Sequence, residues 1–232
     1  MGKLDIRSRQ DEQMDAPGLD PKVYEKVLHD LARVNRWTFT AMPVLAYMKH
    51  AVGDAKAFRL MDVGFGDGDI LRAIARWARR RGLAADLVGV DLNEKSVAAA
   101  RDATPAGYGI DYRAGDYLDQ AGPFDFVISS QVTHHMTDEQ LLTFLRYMEA
   151  EARMGWLICD LHRHGFAHWG FPILARLLMV HRIVREDGTL SIARSFRPAE
   201  WEDYLAQAGI PRAAVDIRRR FPFRLCVERV RR

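Results

Sequence analysis

The stretch Leu60-Met61-Asp62-Val63-Gly64-Phe65-Gly66-Asp67-Gly68-Asp69-Ile70-Leu71 constrains this chain more than any other. An apolar run leads into three alternating glycines and then into an amphipathic stretch, the order of a strand, a tight turn and a helix. Glycines in such a turn let the backbone bring its N–H groups close to a ligand at a helix N-terminus. A dinucleotide-binding turn reads G-x-G-x-x-G, its third glycine packing the helix beneath a pyrophosphate. Here Asp69 holds that third position, and Asp67 and Asp69 flank Gly68. Two carboxylates repel a pyrophosphate, so the turn suits a ligand that is not a polyphosphate, with a cationic one the natural alternative.

The rest of the chain repeats the same alternation. Short apolar runs at Arg59–Val63, Asp86–Asp91, Ile110–Ala114, Phe124–Ser129 and Gly155–Asp160 are separated by helical stretches at Ile70–Arg81, Glu94–Ala103 and Asp138–Ala152. Strands alternating with helices predict βαβ units and a parallel sheet. Two further runs, Ala214–Phe221 and Arg224–Val230, flank Pro222 as a hairpin-like addition. The expected fold is therefore α/β and doubly wound (Rossmann-like): a mostly parallel seven-stranded sheet with one antiparallel strand.

Two segments fall outside that repeat. Asp20-Pro21 reads as an N-cap followed by proline at the first helical position, and Val23, Val27, Leu31 and Val34 form an apolar stripe. A second helix is expected over Trp37–His50, whereas the polar first 20 residues are expected to be poorly ordered. Residues 1–56 thus read as an N-terminal helical lid and 57–232 as the main domain. More than 30 residues separate Asp160 from the helix expected near Arg197, too many for a βα loop, so a helical insertion is expected at about 162–192. Its apolar stretch, 166–184, admits three readings: cover for an apolar acceptor, packing on the sheet or in a dimer, or a membrane-surface helix.

The second and third strands end on Asp91, 23 residues after Gly68, and on Asp116. With Asp62 they give three successive strand ends carrying carboxylates. A strand-end acid at the Asp91 spacing accepts hydrogen bonds from ribose hydroxyls. The fourth strand runs Phe124-Asp125-Phe126-Val127-Ile128-Ser129-Ser130-Gln131-Val132-Thr133-His134-His135-Met136. On these residues, from about Arg59 to Asp160, the chain resembles the class I S-adenosylmethionine-dependent methyltransferases, and in particular the small-molecule branch, where a His-His pair follows strand four.

The resemblance implies S-adenosyl-L-methionine as cofactor and S-adenosyl-L-homocysteine as product. It places Asp62 on the methionine amino group, Asp91 and Leu92 at the ribose, and Asp116 and Tyr117 at the adenine. Gly64, Gly66 and Gly68 give the backbone its close approach, and Ser129 and Gln131 complete the cofactor side. Phe65 stands where the family often has a small residue or Cys, and Asp67 where it often has Thr or Ser. These departures bear on packing and affinity.

Methyl transfer to a hydroxyl gains from a base, because a phenol with a pKa near ~10 is mostly protonated at neutral pH. His134, His135 and His162 are the candidates, the first two equally open to a purely structural role. His162, His164 and His168 have an H-x-H-x₃-H spacing, but no cysteine or second acidic motif reinforces it, and no metal is expected. Cys159 and Cys226 lie in apolar runs, which fits two buried thiols in a reducing compartment.

The net charge of +3, from 34 Lys+Arg and 31 Asp+Glu, is too small for a nucleic-acid binder. Strand four also ends in Ser129-Ser130-Gln131-Val132 rather than the (N/D)PP(Y/F) tetrapeptide of nucleic-acid amino methyltransferases. No apolar run reaches about 18 residues, so no membrane span is expected, and the polar N-terminus has no apolar core, so no secretion signal is expected. The expected protein is a cytoplasmic monomer or homodimer that methylates a small, aromatic or lipid-like hydroxyl acceptor, as in secondary metabolism or quinone formation. C- or N-methylation of a small molecule is the alternative. Nucleic-acid methylation, an NAD(P) oxidoreductase and a non-catalytic cofactor-binding module rank lower.

Overall fold

Seven strands form one sheet in the order β3-β2-β1-β4-β5-β7-β6 in a computed structural model that describes residues 4–16 and 18–231. The strands are β1 (Ala57–Val63), β2 (Ala84–Asp91), β3 (Ile110–Ala114), β4 (Phe124–Ser130), β5 (Ala152–Leu161), β6 (Asp216–Arg220) and β7 (Arg224–Val230). β1 to β5 are parallel, and β7 runs antiparallel to both β5 and β6, the one reversed strand that the sequence predicts. The order reverses between β1 and β4, and ligands of such sheets bind in the crevice outside the carboxyl ends there.

The helices are α1 (Pro21–Trp37), α2 (Ala41–Ala51), α3 (Asp69–Arg80), α4 (Glu94–Asp102), α5 (Asp138–Glu151), α6 (Gly165–Leu177), α7 (Arg182–Arg194) and α8 (Pro198–Gln207). α2, α3 and α4 cover one sheet face through Tyr47, Met48, Leu71, Ile74 and Ala100 against Leu60, Leu87, Phe126 and Leu157. α5 and α8 cover the other through Phe144, Leu145, Trp201 and Leu205 against Met61, Val127, Trp156 and Ile158. A third, smaller core joins α1 to the insertion: Val27 and Val34 meet Ala175, Val180, Ile183 and Val184. The insertion and α1 therefore form one cap, whereas α2 belongs to the sheet layer.

Several expectations need adjustment. α1 runs through Trp37 and is capped by Thr38, so the second helix begins at Ala41 rather than Trp37. The insertion is two helices and extends to Arg194. The N-terminal segment, expected to be poorly ordered, is anchored at several of its described residues, among them Leu4, Arg7, Ser8 and Glu12. The Arg7 guanidinium lies 4.1 Å from the centroid of the Phe196 ring and donates to the carbonyls of His134 and Met136, and the Ser8 amide donates to the Ala193 carbonyl. Cys159 and Cys226 are buried free thiols on register-paired positions of β5 and β7, with Sγ atoms 3.3 Å apart.

Candidate active site

A cavity of about 740 Å³ opens over the carboxyl ends of the parallel strands, between the sheet and the cap. At its inner end the β1–α3 turn supplies backbone. Gly64, Gly66 and Gly68 all have positive φ, at +76°, +56° and +78°. They serve different purposes. A Cβ on Gly64 would lie 2.4 Å from Val132 Cγ2, and one on Gly68 2.5 Å from the Tyr112 hydroxyl, so both permit close packing. A Cβ on Gly66 would meet nothing within 4 Å, and Gly66 lines the cavity, which leaves a cradle of bare backbone there.

Carboxylates surround that cradle. Asp91 accepts from the Gly66 amide through Oδ2 and from the Asn93 amide through Oδ1, both at 2.9 Å, and so fixes the turn to the end of β2. Asp62 is only 1% exposed, lines the cavity, and has no hydrogen-bond partner on either oxygen among the described residues. Burial, with Asp69 and Asp91 nearby, pushes its carboxyl well above the usual range. Burial and then Asp67 push Asp69 up to about 6, against the opposing pull of Arg72. A buried carboxylate without a partner is costly unless a donor or cation meets it. The residues at this end therefore fit a ligand that brings a positive charge.

Leu92, Tyr117 and Gln131 also line the cavity. Three residues placed on the cofactor side by sequence are not part of its lining. Gly68 faces Tyr112; Ser129 is buried and donates to the Val63 carbonyl, tying β4 to β1; Asp116 accepts from the Leu118 amide as the cap of a short turn. Beside Ser129, Ser130 lines the cavity with its hydroxyl unpartnered among the described residues.

The His-His pair sits on the short helical turn after β4, with its carbonyls gripped by two arginines. Arg194 donates to the carbonyls of both His134 and His135, and Arg7 to that of His134. The two rings have different surroundings. His134 is buried, with Nδ1 2.8 Å from Asp160 and Nε2 3.5 Å from Glu12. Burial pushes its imidazolium pKa down, but Asp160 and Glu12 more than reverse this and raise it to about 9. Asp160 also accepts from the Thr133 hydroxyl and the His134 amide; against its burial, the His134 imidazolium, and then Thr133 and the Leu161 amide, hold it below the usual carboxylate range. His134 is thus a cation held between two anions, unsuited to take a proton at neutral pH. The His135 side chain is 30% exposed at the cavity wall, its Nε2 3.7 Å from Glu12 Oε2.

Glu12, His134 and His135 hold their potential ligand atoms within 4.8 Å of one another; His162, His164 and His168 form no such group among the described residues. His162 also lies outside the cavity lining, buried in a bridge with Phe196, where burial and then Arg219 lower its pKa to about 4. It is not placed to act on a ligand in this cavity.

Three residues that sequence reasoning missed line the cavity. Glu12 arrives on the N-terminal segment and accepts from Ser191 at 2.7 Å. Asn35 bridges Gln131, at 2.9 Å, and Asp69, at 3.4 Å. Arg224, 4% exposed, donates to Thr38 and Thr40 and forms no ion pair among the described residues. A proline–glutamate or glycine signal announces a turn, but nothing local announces these.

The His134 array makes a pH prediction. Its folded-state pKa lies above the ordinary value, so its contribution to stability is complete below about 6.5 and is lost as pH rises through about 9. Removing one partner of a buried pair costs about 3–5 kcal/mol. The melting-temperature gap between the native chain and His134→Gln is expected to be large at neutral pH and to narrow as pH rises past 9. A gap independent of pH would show that His134 is not held as a cation.

The fold is the Rossmann-like seven-stranded architecture of the class I methyltransferases. Residues 60–155 match the family model described as a methyltransferase domain. No curated protein sequence matches the chain. Among solved structures, a SAM-dependent methyltransferase from Aquifex aeolicus is similar at TM-score 0.62 and 17% identity, covering 91% of this chain and 98% of that one. Human N-acetylserotonin methyltransferase in complex with SAM is similar at TM-score 0.63 and 14% identity, over 91% of this chain and 56% of that one. Magnesium protoporphyrin IX methyltransferase from Synechocystis PCC 6803 with bound SAM gives TM-score 0.54 and 16% identity, over 95% and 88%. At these identities the likeness is one of fold. The chain shares the fold of the class I methyltransferases, and the methyltransferase-domain match covers the part of it that runs from β1 into β5.

Proposed function

We propose that this chain is an S-adenosylmethionine-dependent methyltransferase that acts on a hydroxyl of a small apolar acceptor, aromatic or lipid-like, as a cytoplasmic monomer or homodimer in secondary metabolism or quinone formation. The observation that carries the reading is a single cavity with two unlike ends: a buried, unpartnered Asp62 at one, and an apolar chamber reached by His135 at the other. When bound, S-adenosylmethionine supplies an electrophilic methyl group on a sulfonium. Asp62 and Asp69 would meet its positive charge, Asp91 its ribose hydroxyls, and Tyr117, with Asp116 beside it, its adenine. The bare backbone at Gly66 leaves room for the ligand to lie against the turn. Arg224 offers one positive charge to a carboxylate.

The chamber is lined by Met14, Leu31, Phe166, Phe171, Leu174 and Ile192 among others. Such a lining favours an apolar ligand and excludes water, and holding an acceptor in line can lower the barrier by roughly 7–11 kcal/mol. His135 is the candidate base, with Glu12 as the carboxylate that orients it. Two of the similar structures are of enzymes named for magnesium protoporphyrin IX and N-acetylserotonin, both small molecules, which supports an acceptor of that class.

Calorimetric titration with S-adenosylhomocysteine, with NADH and NADPH alongside, tests the cofactor. Micromolar affinity for the first and none for the nicotinamides is expected. Asp91→Ala should abolish measurable binding while the chain still folds, with a melting temperature lowered by several degrees through loss of the bonds to the Gly66 and Asn93 amides. Undiminished affinity in Asp91→Ala would place the ribose elsewhere. Methyl transfer from labelled S-adenosylmethionine to a panel of apolar phenols tests the acceptor; labelling at carbon or nitrogen only would replace the hydroxyl reading with the alternative chemistry.

A further inference from the structure

The cavity opens through a rim that is both apolar and exposed. Trp37 ends α1 and Phe39 follows it, Phe221 and Phe223 lie in the β6–β7 turn, and Phe166 lies in the first turn of α6; all five line the cavity and all are solvent-exposed. They form one continuous surface. The Phe39 and Phe221 ring centroids are 6.4 Å apart, and the His164 ring stacks on both Phe166 and Phe223. From Phe166 the surface continues along α6 at helical spacing through Trp169, Ile173 and Leu177, which are 71%, 43% and 74% exposed, to Met179 at 87%. The opposite face of α6 is already used, with Ala175 buried against α1 and α7. Arg33 donates to the Leu178 carbonyl, which holds the end of α6 to α1.

The segments that build this surface carry charge of one sign. The three segments that build it, 31–53, 161–185 and 217–227, contain no Asp or Glu, although the chain has 31 acidic residues. Each contributes an exposed arginine that forms no ion pair among the described residues: Arg36 beside Trp37, Arg176 beside Leu177, and Arg219 beside the Phe221 turn. An apolar stripe on a water-soluble surface marks an interaction site, and an acid-free basic margin selects an anionic partner. A protein partner would not require cations on three separate segments around an apolar mouth, whereas a bilayer surface presents negative headgroups over an apolar interior.

We propose that this rim docks on an anionic lipid bilayer, with the cavity mouth facing the acyl region. Docking rests on the surface alone. That a lipophilic acceptor enters the cavity directly from the bilayer rests in addition on the function proposed above. In that geometry Trp169, Ile173 and Leu177 enter the headgroup–acyl boundary, the arginines meet lipid phosphates, and the acceptor need not cross water.

The test uses the full chain with phosphatidylcholine vesicles and with vesicles in which roughly one third of the lipid is phosphatidylglycerol. Co-sedimentation is expected to favour the anionic vesicles by about tenfold or more and to weaken at high salt, with a blue shift of tryptophan emission. Trp169→Ser with Leu177→Ser changes only exposed side chains outside the cavity lining, and should cut vesicle binding at least about tenfold while leaving S-adenosylhomocysteine affinity unchanged. Equal binding by the double variant, or no binding to anionic vesicles by the native chain, overturns the proposal. So does a concentration-dependent dimer in sedimentation that the double variant dissolves, which would make the surface an interface between two copies. Vesicle binding without S-adenosylhomocysteine binding would leave docking intact and remove the methyltransferase function; the converse would do the opposite.

Discussion

Asp62→Asn is expected to make the protein more stable and its cofactor site much weaker. The side chain is buried, both oxygens lack partners among the described residues, and burial with Asp69 and Asp91 raises its pKa well above the ordinary value. A carboxyl with a raised folded-state pKa destabilises the fold above its unfolded pKa, near 4, by an amount that grows as pH rises toward the folded value. The amide has the same shape and no charge. It should therefore gain about 1–2 kcal/mol at neutral pH, several degrees in melting temperature, and the gain should vanish in acid. The loss appears in binding. A charge-assisted contact to an ammonium group is worth about 3 kcal/mol in a buried site, or roughly a hundredfold in Kd for S-adenosylhomocysteine. A variant that binds within threefold of the native chain, whatever its stability, would show that Asp62 does not meet the ligand's charge.

That opposition between stability and binding also explains which parts of the molecule were legible in its sequence. The sheet was legible because it is built from local patterns. Apolar runs alternate with amphipathic stretches, and the glycines between Val63 and Ile70 can be accommodated only by a turn of that kind. The single antiparallel strand followed from the short distance between the two C-terminal runs around Pro222. Asp62 and Asp91 stand at strand ends, so their place at the carboxyl edge follows from the fold once the strands are known.

Residues whose role depends on distant partners were not legible in the same way. Glu12 lies in a polar segment with no periodicity, and only its contacts with His134 and Ser191, more than 120 residues away in the chain, bring it into the site. The N-terminal segment looks disordered by composition because its anchors are arginines bound to backbone carbonyls and to an aromatic face, not apolar side chains. Ser129 and Ser130 are equivalent as letters, yet alternation along β4 turns the first into the sheet and the second toward the cavity. His162 follows β5 as His134 follows β4, but the chain leaves β5 in a bridge to Phe196, and the ring is buried away from the cavity.

The His-His pair shows the same limit, and its two members should separate cleanly in kinetics. His134 sits between Asp160 and Glu12 with a pKa near 9, so it holds a proton through the neutral range and can only donate. Its replacement should lower the melting temperature. His135 stands at the cavity wall beside Glu12, whose carboxyl is held below its usual range, despite burial, by His134, His135 and Ser191. An anionic Glu12 would stabilise the imidazolium formed when His135 takes a proton from an acceptor hydroxyl. His135→Ala should therefore lower kcat by about 10²–10⁴ with a phenolic acceptor, while the melting temperature and S-adenosylhomocysteine affinity stay close to native. Added imidazole should restore part of the rate, and the restored rate should follow the fraction of neutral imidazole as pH rises. A His135→Ala enzyme that keeps its kcat would remove this base from the mechanism: the acceptor would then be nucleophilic enough without proton removal, as an amine or an activated carbon is, and the chemistry would be N- or C-methylation.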